Sequence, residues 1–382
     1  MFLYTLSMLL TFIYYIYTVK HPNYKTNNLQ KMNLTYTLTH IILPILGLLF
    51  LVLTILLILN RLLINLREPK VNVVKAKIDD FLTTLVFSVY DDTELASEIE
   101  NFKKEIPFKK KWCKKIVLNK IIFLKRNLKG DIIKTSHFIY EQFDLFNYSI
   151  SLLKSKKKYL NCLGMYHLKA LEYHKGKDYV TPFLNHKNRI LNSSAYLTII
   201  SLEPENLGLL YNYQKPVFLA GEINIMNIVH QKKPPVPSNL KDWIHSTNPS
   251  IVRLGIKLMA FYNYTNENQS IVAHLKSDDE KIRFAVIRAI RQLFIFDTEK
   301  NLIELFDTEE KSNQLEILKT LAVIGSEDAE EFIQELLQKP IDSDIKLRAV
   351  KSLSKMNSTY IENIIGNNEI SKMVKHVKIA SI

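Results

Sequence analysis

Apolar residues recur along the second half of this chain with a helical spacing, and the whole pattern returns every 30 to 32 residues. The clearest copy is IRFAVIRAIRQL, from Ile282 to Leu293. Its apolar or small residues fall at offsets 0, 3, 4, 7, 8 and 11, which places them on one face of a helix. Just upstream, Ser277–Asp279 supplies an N-cap. The pattern restarts at Val252 (VRLGIKLMA), at Asn313 (NQLEILKTLAVIG, closed by Gly325) and at Ile345 (IKLRAVKSLSKM). Earlier copies begin at Leu160 and Leu191, with a weaker one at Gly221 (GEINIMNIV). Between them, Ser270–Leu275, Asn301–Phe306 and Ala329–Leu337 read as second helices, so each unit is a helix pair. One such pair cannot bury its apolar face alone, and stacked neighbours supply the core. Residues 151–382 are therefore expected to form about seven stacked units in an all-α architecture.

A different apolar pattern lies upstream. From Ile41 to Asn60 the chain reads IILPILGLLFLVLTILLILN, with no charge and no polar face. Twenty residues at 1.5 Å rise span about 30 Å, the thickness of a bilayer's hydrocarbon core. This segment is expected to be a transmembrane helix and to hold the chain in a lipid bilayer. Arg61, Arg67, Lys70, Lys75 and Lys77 follow it closely, whereas Met32–His40 carries no formal charge, so the large C-terminal region is expected on the cytoplasmic side. Residues 1–40 are left open. Phe2–Val19 is apolar and tyrosine-rich and reads as a first transmembrane helix, or else translation begins at Met32 and one anchor remains.

Charge sharpens the picture between the anchor and the repeats. The formal net charge is +13, yet the basic residues concentrate in 1–75 and 103–129, and the remainder is mildly acidic. In the region 61–150, Ala76–Tyr90 and Thr93–Ile106 read as helices, followed by a basic amphipathic helix over 108–130. Trp112, Ile116, Val117, Ile121, Leu124 and Leu128 share its apolar face, and lysines dominate the other. Lys109, Lys110, Lys111, Lys114, Lys115, Lys125, Arg126 and Lys129 are the candidate contacts to an anionic surface. Three readings stay open for them: a solvated outer face, anionic lipid headgroups near a tether, where each lysine is worth about 1 kcal/mol, and phosphate contacts to nucleic acid, the least favoured.

The run SDDEKIRFAVIRAIRQL (Ser277–Leu293), together with SDIKLRAVKSL (Ser343–Leu353), resembles the short HEAT repeats of the phycobilisome-lyase type: a polar cap, then V-R-x-x-A-x-x-A-L. The copies at 252, 282, 313 and 345 match well, and those at 160, 191 and 221 are degraded. This resemblance implies a right-handed α-solenoid that binds a protein partner, with the second helices lining its concave surface. Arg253, Arg283 and Lys346, each one residue after a unit start, are expected to bridge adjacent units through acidic or carbonyl partners. Asn161, Asn192, Glu222 and Gln314 occupy that slot elsewhere, and Gln231–Ser238 (QKKPPVPS) is expected to be a stiff connection. The whole layout also resembles membrane-anchored HEAT-repeat proteins of Bacteroidota-like bacteria. That implies an inner-membrane scaffold, in an envelope or polysaccharide-synthesis complex.

Candidate chemistry adds little. Nine glycines leave scant material for phosphate-cradling loops, and no Walker, Rossmann, nucleophile-elbow or H-E-x-x-H motif occurs. Two cysteines, Cys113 and Cys162, cannot make a structural zinc site, and Cys113 reads as a half-buried thiol. Carboxylates at Asp278–Glu280, Glu309–Glu310 and Glu327–Glu331 fall at helix starts, where capping explains them. A non-enzymatic scaffold without cofactor is the expectation. A HEAT-like nucleic-acid glycosylase using helix 108–130 and a membrane-linked sensor are the alternatives.

Overall fold

The computed structural model describes Tyr36 and residues 38–87, 91–128, 132–356 and 373–374. Phe2–Val19 and Met32 lie outside the described residues. The chain divides into two compact units, Met1–Phe81 and Leu82–Ile382. All regular structure among the described residues is helical.

In the first unit a short π-helical turn, Leu38–Ile42, leads into α1, Leu43–Phe87. Helix α1 does not stop at Asn60 but continues through Pro69, which sits inside it. It is the one helix among the described residues that is long and apolar enough to cross a membrane, and none of its apolar window is buried.

The second unit takes in the last residues of α1, from Leu82 to Phe87, and then α2 (Asp92–Glu105), α3 (Lys111–Asn127), α4 (Ile132–Gln142) and α5 (Leu145–Leu153). Helix α2 begins at a full capping box: the Asp91 carboxylate accepts from Glu94 N–H at 2.8 Å, and Glu94 accepts from Asp91 N–H. The array follows. Its first helices are α6 (Lys158–Leu171), α8 (Arg189–Leu202), α9 (Leu219–Lys232), α11 (Pro249–Phe261), α13 (Glu280–Leu293), α15 (Lys311–Ile324) and α17 (Ser343–Met356). Every one of the seven unit starts read from the sequence falls in the first turn of one of these helices. The intervening helices are α7 (Lys177–Val180), α10 (Leu240–Trp243), α12 (Asn268–Ala273), α14 (Glu299–Leu305) and α16 (Glu327–Gln338).

First helices stack on first helices: α6 on α8, α8 on α9, α11 on α13, α13 on α15 and α15 on α17. Helix α13 shows why. Ile282, Ala285, Val286, Ala289, Ile290 and Leu293 are buried, and so is Ile287, because the helix is covered by a neighbour on each side. One contiguous apolar core then runs from Ile200 to Leu353. This is a solenoid-like, all-α arrangement.

Two polar details fix the register of the stack. Buried Thr320 and Ser352, each seven residues after its unit start, donate to the backbone of the preceding first helix, at Ile287 O (3.1 Å) and Leu318 O (2.7 Å). Gly255 lets α11 approach α10, since a Cβ there would come within 2.7 Å of Trp243 Cβ. The proline-rich segment after α9 is held to the stack where Tyr262 Oη donates to Pro234 O at 3.0 Å.

Candidate functional site

Helix α3 occupies Lys111–Asn127, shorter than the 108–130 expected, with Phe108–Lys110 forming the turn before it. It meets both α4 and α6, so its buried face is wider and rotated from the one drawn on sequence alone. Cys113, Val117, Leu118, Ile121, Ile122 and Leu124 are buried, whereas Trp112, Ile116 and Leu128 are only half-buried. Cys113 is fully sealed rather than half-buried, and burial pushes its thiol up to about 11, away from nucleophilic thiolate chemistry.

The expected basic stripe divides into two places. At the start of α3, Lys109, Lys110, Lys111 and Lys115 are exposed. Lys114 is half-buried, with Nζ 4.0 Å from Asp144 and 5.2 Å from the Phe108 ring centroid. This helix start has no acidic residue in its first turn, and its N-cap, Lys110, makes no side-chain cap. Lysines therefore crowd the positive end of the macrodipole, an arrangement that opposes helix stability. Lys125 and Arg126 lie at the other end, about 20 Å along a helix axis rising 1.5 Å per residue. Lys125 is no surface contact: its side chain is 6% exposed and its Nζ sits 2.9 Å from the Glu172 carboxylate. The lysines of α3 thus do not converge on one groove. Lys129 lies outside the described residues.

Lys125 and Arg126 instead belong to a cleft that no local sequence signal marks. The last turns of α3, α6 and α9 meet around a cavity of about 710 Å³, lined by Lys125, Arg126, Lys169, Glu172 and Lys232 with Asn224, Asn227, Gln231 and Ser201. Glu172 stands in the left-handed region (φ 53°) at the end of α6, which turns its carboxylate between Lys125 and Lys232. Lys125 also donates to Ala170 O at 3.2 Å. The Arg126 guanidinium lies over the Tyr166 ring at 5.7 Å. The Lys169 ammonium makes no hydrogen bond or ion pair among the described residues; burial and the nearby Arg126 hold it below the usual lysine range.

At Arg253 and Arg283 the slot after the unit start holds inter-unit ion pairs. Arg253 donates to Glu222 through Nε at 3.1 Å and Nη2 at 2.6 Å, and its Nη1 lies 3.5 Å from Asp279, the N-cap of α13. Arg283 donates to the buried Glu309 carboxylate, Nη2 to Oε2 at 2.9 Å, and to Ser277 O at 2.7 Å. Lys346 is half-buried in the first turn of α17. Where the slot carries an amide, it serves the backbone: Asn161 reaches Leu153 O at 2.6 Å, Gln314 reaches Phe306 O at 2.9 Å, and Asn192 reaches Leu184 O. All three acceptors lie eight residues back, at the end of the preceding segment.

Two further features bear on function. Ser149 and His167 are both fully buried and 3.1 Å apart, so this Ser–His pair is sealed from any substrate. The array also exposes large apolar side chains, and among the described residues none lies on the second helices at 270–275, 301–306 or 329–337. Phe218, Leu219 and Ile223 are exposed at the start of α9. Beside them, Met226, Phe261, Lys257 and Arg288 line a groove of about 240 Å³ on the first helices.

No family model matches the chain, and no curated protein matches it. Among solved structures, it is similar to an engineered protein from the Northeast Structural Genomics Consortium, at 16% identity and a TM-score of 0.32, over 56% of this chain and 96% of that one. It is also similar to the complex of CpcE and CpcF of the phycocyanin lyase from Nostoc sp. PCC7120, at 13% identity and a TM-score of 0.26, over 77% of this chain and 96% of that one. At these scores neither likeness bears on what the chain does, and the helix stack stands on its own contacts.

Proposed function

We propose that this chain is a non-enzymatic scaffold, held in a bilayer by its apolar segment, that binds a partner protein on an array of HEAT-like repeats forming a right-handed α-solenoid. The exposed apolar helix carries this reading. Among the described residues the helices of the array each bury apolar side chains, yet the apolar window within Leu38–Phe87 is wholly uncovered. Leaving some twenty such side chains in water, at roughly 1.5–3 kcal/mol each, costs tens of kcal/mol, which a hydrocarbon environment removes. Arg61, Arg67, Lys70, Lys75 and Lys77 then favour a cytoplasmic array, at the inner membrane of a bacterium. An envelope or polysaccharide-synthesis complex is the setting the sequence resemblance favours.

The partner's seat is the groove beside Phe218, Leu219 and Ile223. Lys257 is taken by Glu222, so apolar side chains next to Arg288 fit an amphipathic segment that carries an acidic residue. Tethering both proteins at one membrane raises their effective concentration without any new contact.

The test uses full-length protein in native membranes, with a photo-crosslinking residue at Ile223 or Arg288. One defined membrane-associated partner, resistant to alkaline extraction together with the bait, is the expected result. Release of the chain by alkaline carbonate would sink the anchor. Crosslinks no different from those of a site on the second helices would sink the docking face.

A further inference from the structure

We propose that the cleft between the last turns of α3, α6 and α9 is a binding site for a phosphate-bearing anion of diphosphate size or larger. The charge balance comes first. Lys125, Arg126, Lys169 and Lys232 face a single carboxylate, Glu172. Helix C-termini attract cations on their own account, each end being equivalent to roughly half a negative charge. Ser201 adds the last turn of α8, so four such ends and Glu172 amount to about −3, against four positive groups. Dipole compensation leaves a surplus of roughly one positive charge in a half-enclosed space, and an anion is what such a surplus attracts.

The shape and the donors narrow the class. A cavity of about 710 Å³ lies within the range of small-molecule sites and is far larger than a bridging water needs. Glu172 already occupies Lys125 and Lys232, one lysine on each carboxylate oxygen. That leaves Arg126, whose planar fork matches phosphate oxygens, and Lys169, which has no partner among the described residues. On the opposite wall Asn224, Asn227 and Gln231 share one face of α9. Asn224 is committed to Ala220 O, so Asn227 and Gln231 are the neutral donors. A single carboxylate would satisfy one of these groups; two linked phosphates span them. Bringing an anion to Lys169 also relieves the burial and like-charge cost that this ammonium carries in the free protein.

The source of the phosphate, a soluble ligand or a lipid headgroup, is separated by experiment. Full-length protein in neutral phosphatidylcholine nanodiscs is titrated calorimetrically with pyrophosphate. The same protein is then assembled in nanodiscs containing phosphatidylglycerol, and hydrogen exchange is followed at 125–128 and 224–232. Saturable pyrophosphate binding, weakened at least tenfold in Arg126→Gln/Lys169→Gln, assigns a soluble ligand. Protection of both segments only in the anionic nanodiscs, lost in the same variant, assigns a headgroup. Glu172→Gln gives the sign that a purely structural cluster would not: freeing Lys125 and Lys232 tightens pyrophosphate binding several-fold even where it lowers thermal stability. Lys109→Gln/Lys110→Gln/Lys111→Gln leaves the binding unchanged, since those lysines are at the far end of α3. Absence of saturable binding in both arms, or equal binding by the double variant, overturns the proposal.

Discussion

Arg253 rests on Glu222, Nη2 to Oε1 at 2.6 Å, joining two first helices across 31 residues of sequence. Lys257 takes the other carboxylate oxygen at 2.6 Å. Glu222 is 3% exposed at its side chain and Arg253 12%, so this is a dry pair, with two guanidinium nitrogens on one carboxylate oxygen, rather than a surface bridge. The same arginine reaches Asp279 at the start of the next first helix, so one guanidinium ties three consecutive units.

Arg253→Ala should therefore destabilise the protein by about 2 kcal/mol, because it removes charge-assisted hydrogen bonds from a buried carboxylate that keeps only Lys257. An Arg253→Met/Glu222→Leu double variant should recover part of that loss, since it removes both buried charges together and leaves only the more exposed Lys257 to be solvated. Chemical denaturation of the two variants in one detergent checks this. Equal losses would show that the pair contributes shape and not charge.

The first helices were legible in the sequence because each is 13 or 14 residues long and covered on both sides, so its apolar positions are dense enough to reveal a period. Of the second helices, α12, α14 and α16 were legible at 270–275, 301–306 and 329–337, and α7 and α10 were not. Helices α7 and α10 have four residues each, too short for a 3.6-residue pattern to register. The slot held by Arg253 and Arg283 looked broken elsewhere because residue identity changes while the physical task persists. Asn161, Asn192 and Gln314 are still donors, now to a carbonyl eight residues back. The basic stripe misled for a related reason. A helical wheel puts Lys125 about 80° from Val117, at the flank of the buried face, but does not show that Glu172 at the end of another helix waits there. The cleft draws its charges from three helices, and no window of sequence holds them together.

His167 should make the protein acid-sensitive. Its ring is fully buried, Nδ1 meets Ser149 Oγ, and Nε2 has no hydrogen-bond partner among the described residues. Burial, with Lys115 adding to it, pushes the imidazole down to about 4. The unfolded chain takes up the proton near pH 6.5, whereas the folded protein holds out to about 4. Stability is therefore full above pH 6.5 and falls as the pH drops to about 4, by roughly 3 kcal/mol. His167→Gln should flatten that slope, as read from melting temperature against pH.

Few glycines force other residues into left-handed helix ends. Phe294 closes α13 at φ 55°, and its side chain is 57% exposed, so it contributes little packing in return. Phe294→Gly is expected to stabilise by about 1 kcal/mol, because glycine adopts that backbone without a Cβ clash. A lower melting temperature would mean that its stacking with Phe296, at 6.3 Å, outweighs the backbone strain.

The start of α3 offers the sharpest separation of stability from function. Lys110 stands at an N-cap where aspartate is favoured, and Lys109, Lys111 and Lys115 add positive charge beside unpaired backbone N–H groups. A helix end assembled against its own dipole is retained at a cost, which makes sense if those charges meet an anionic partner. Lys110→Asp supplies the missing cap and removes one repulsion, so it should raise stability by about 1 kcal/mol. The same change should reduce hydrogen-exchange protection of 108–115 in nanodiscs rich in phosphatidylglycerol and leave exchange in phosphatidylcholine unaltered. A variant that gains stability and keeps its protection would make these lysines a solvated face and remove the headgroup contact from the account.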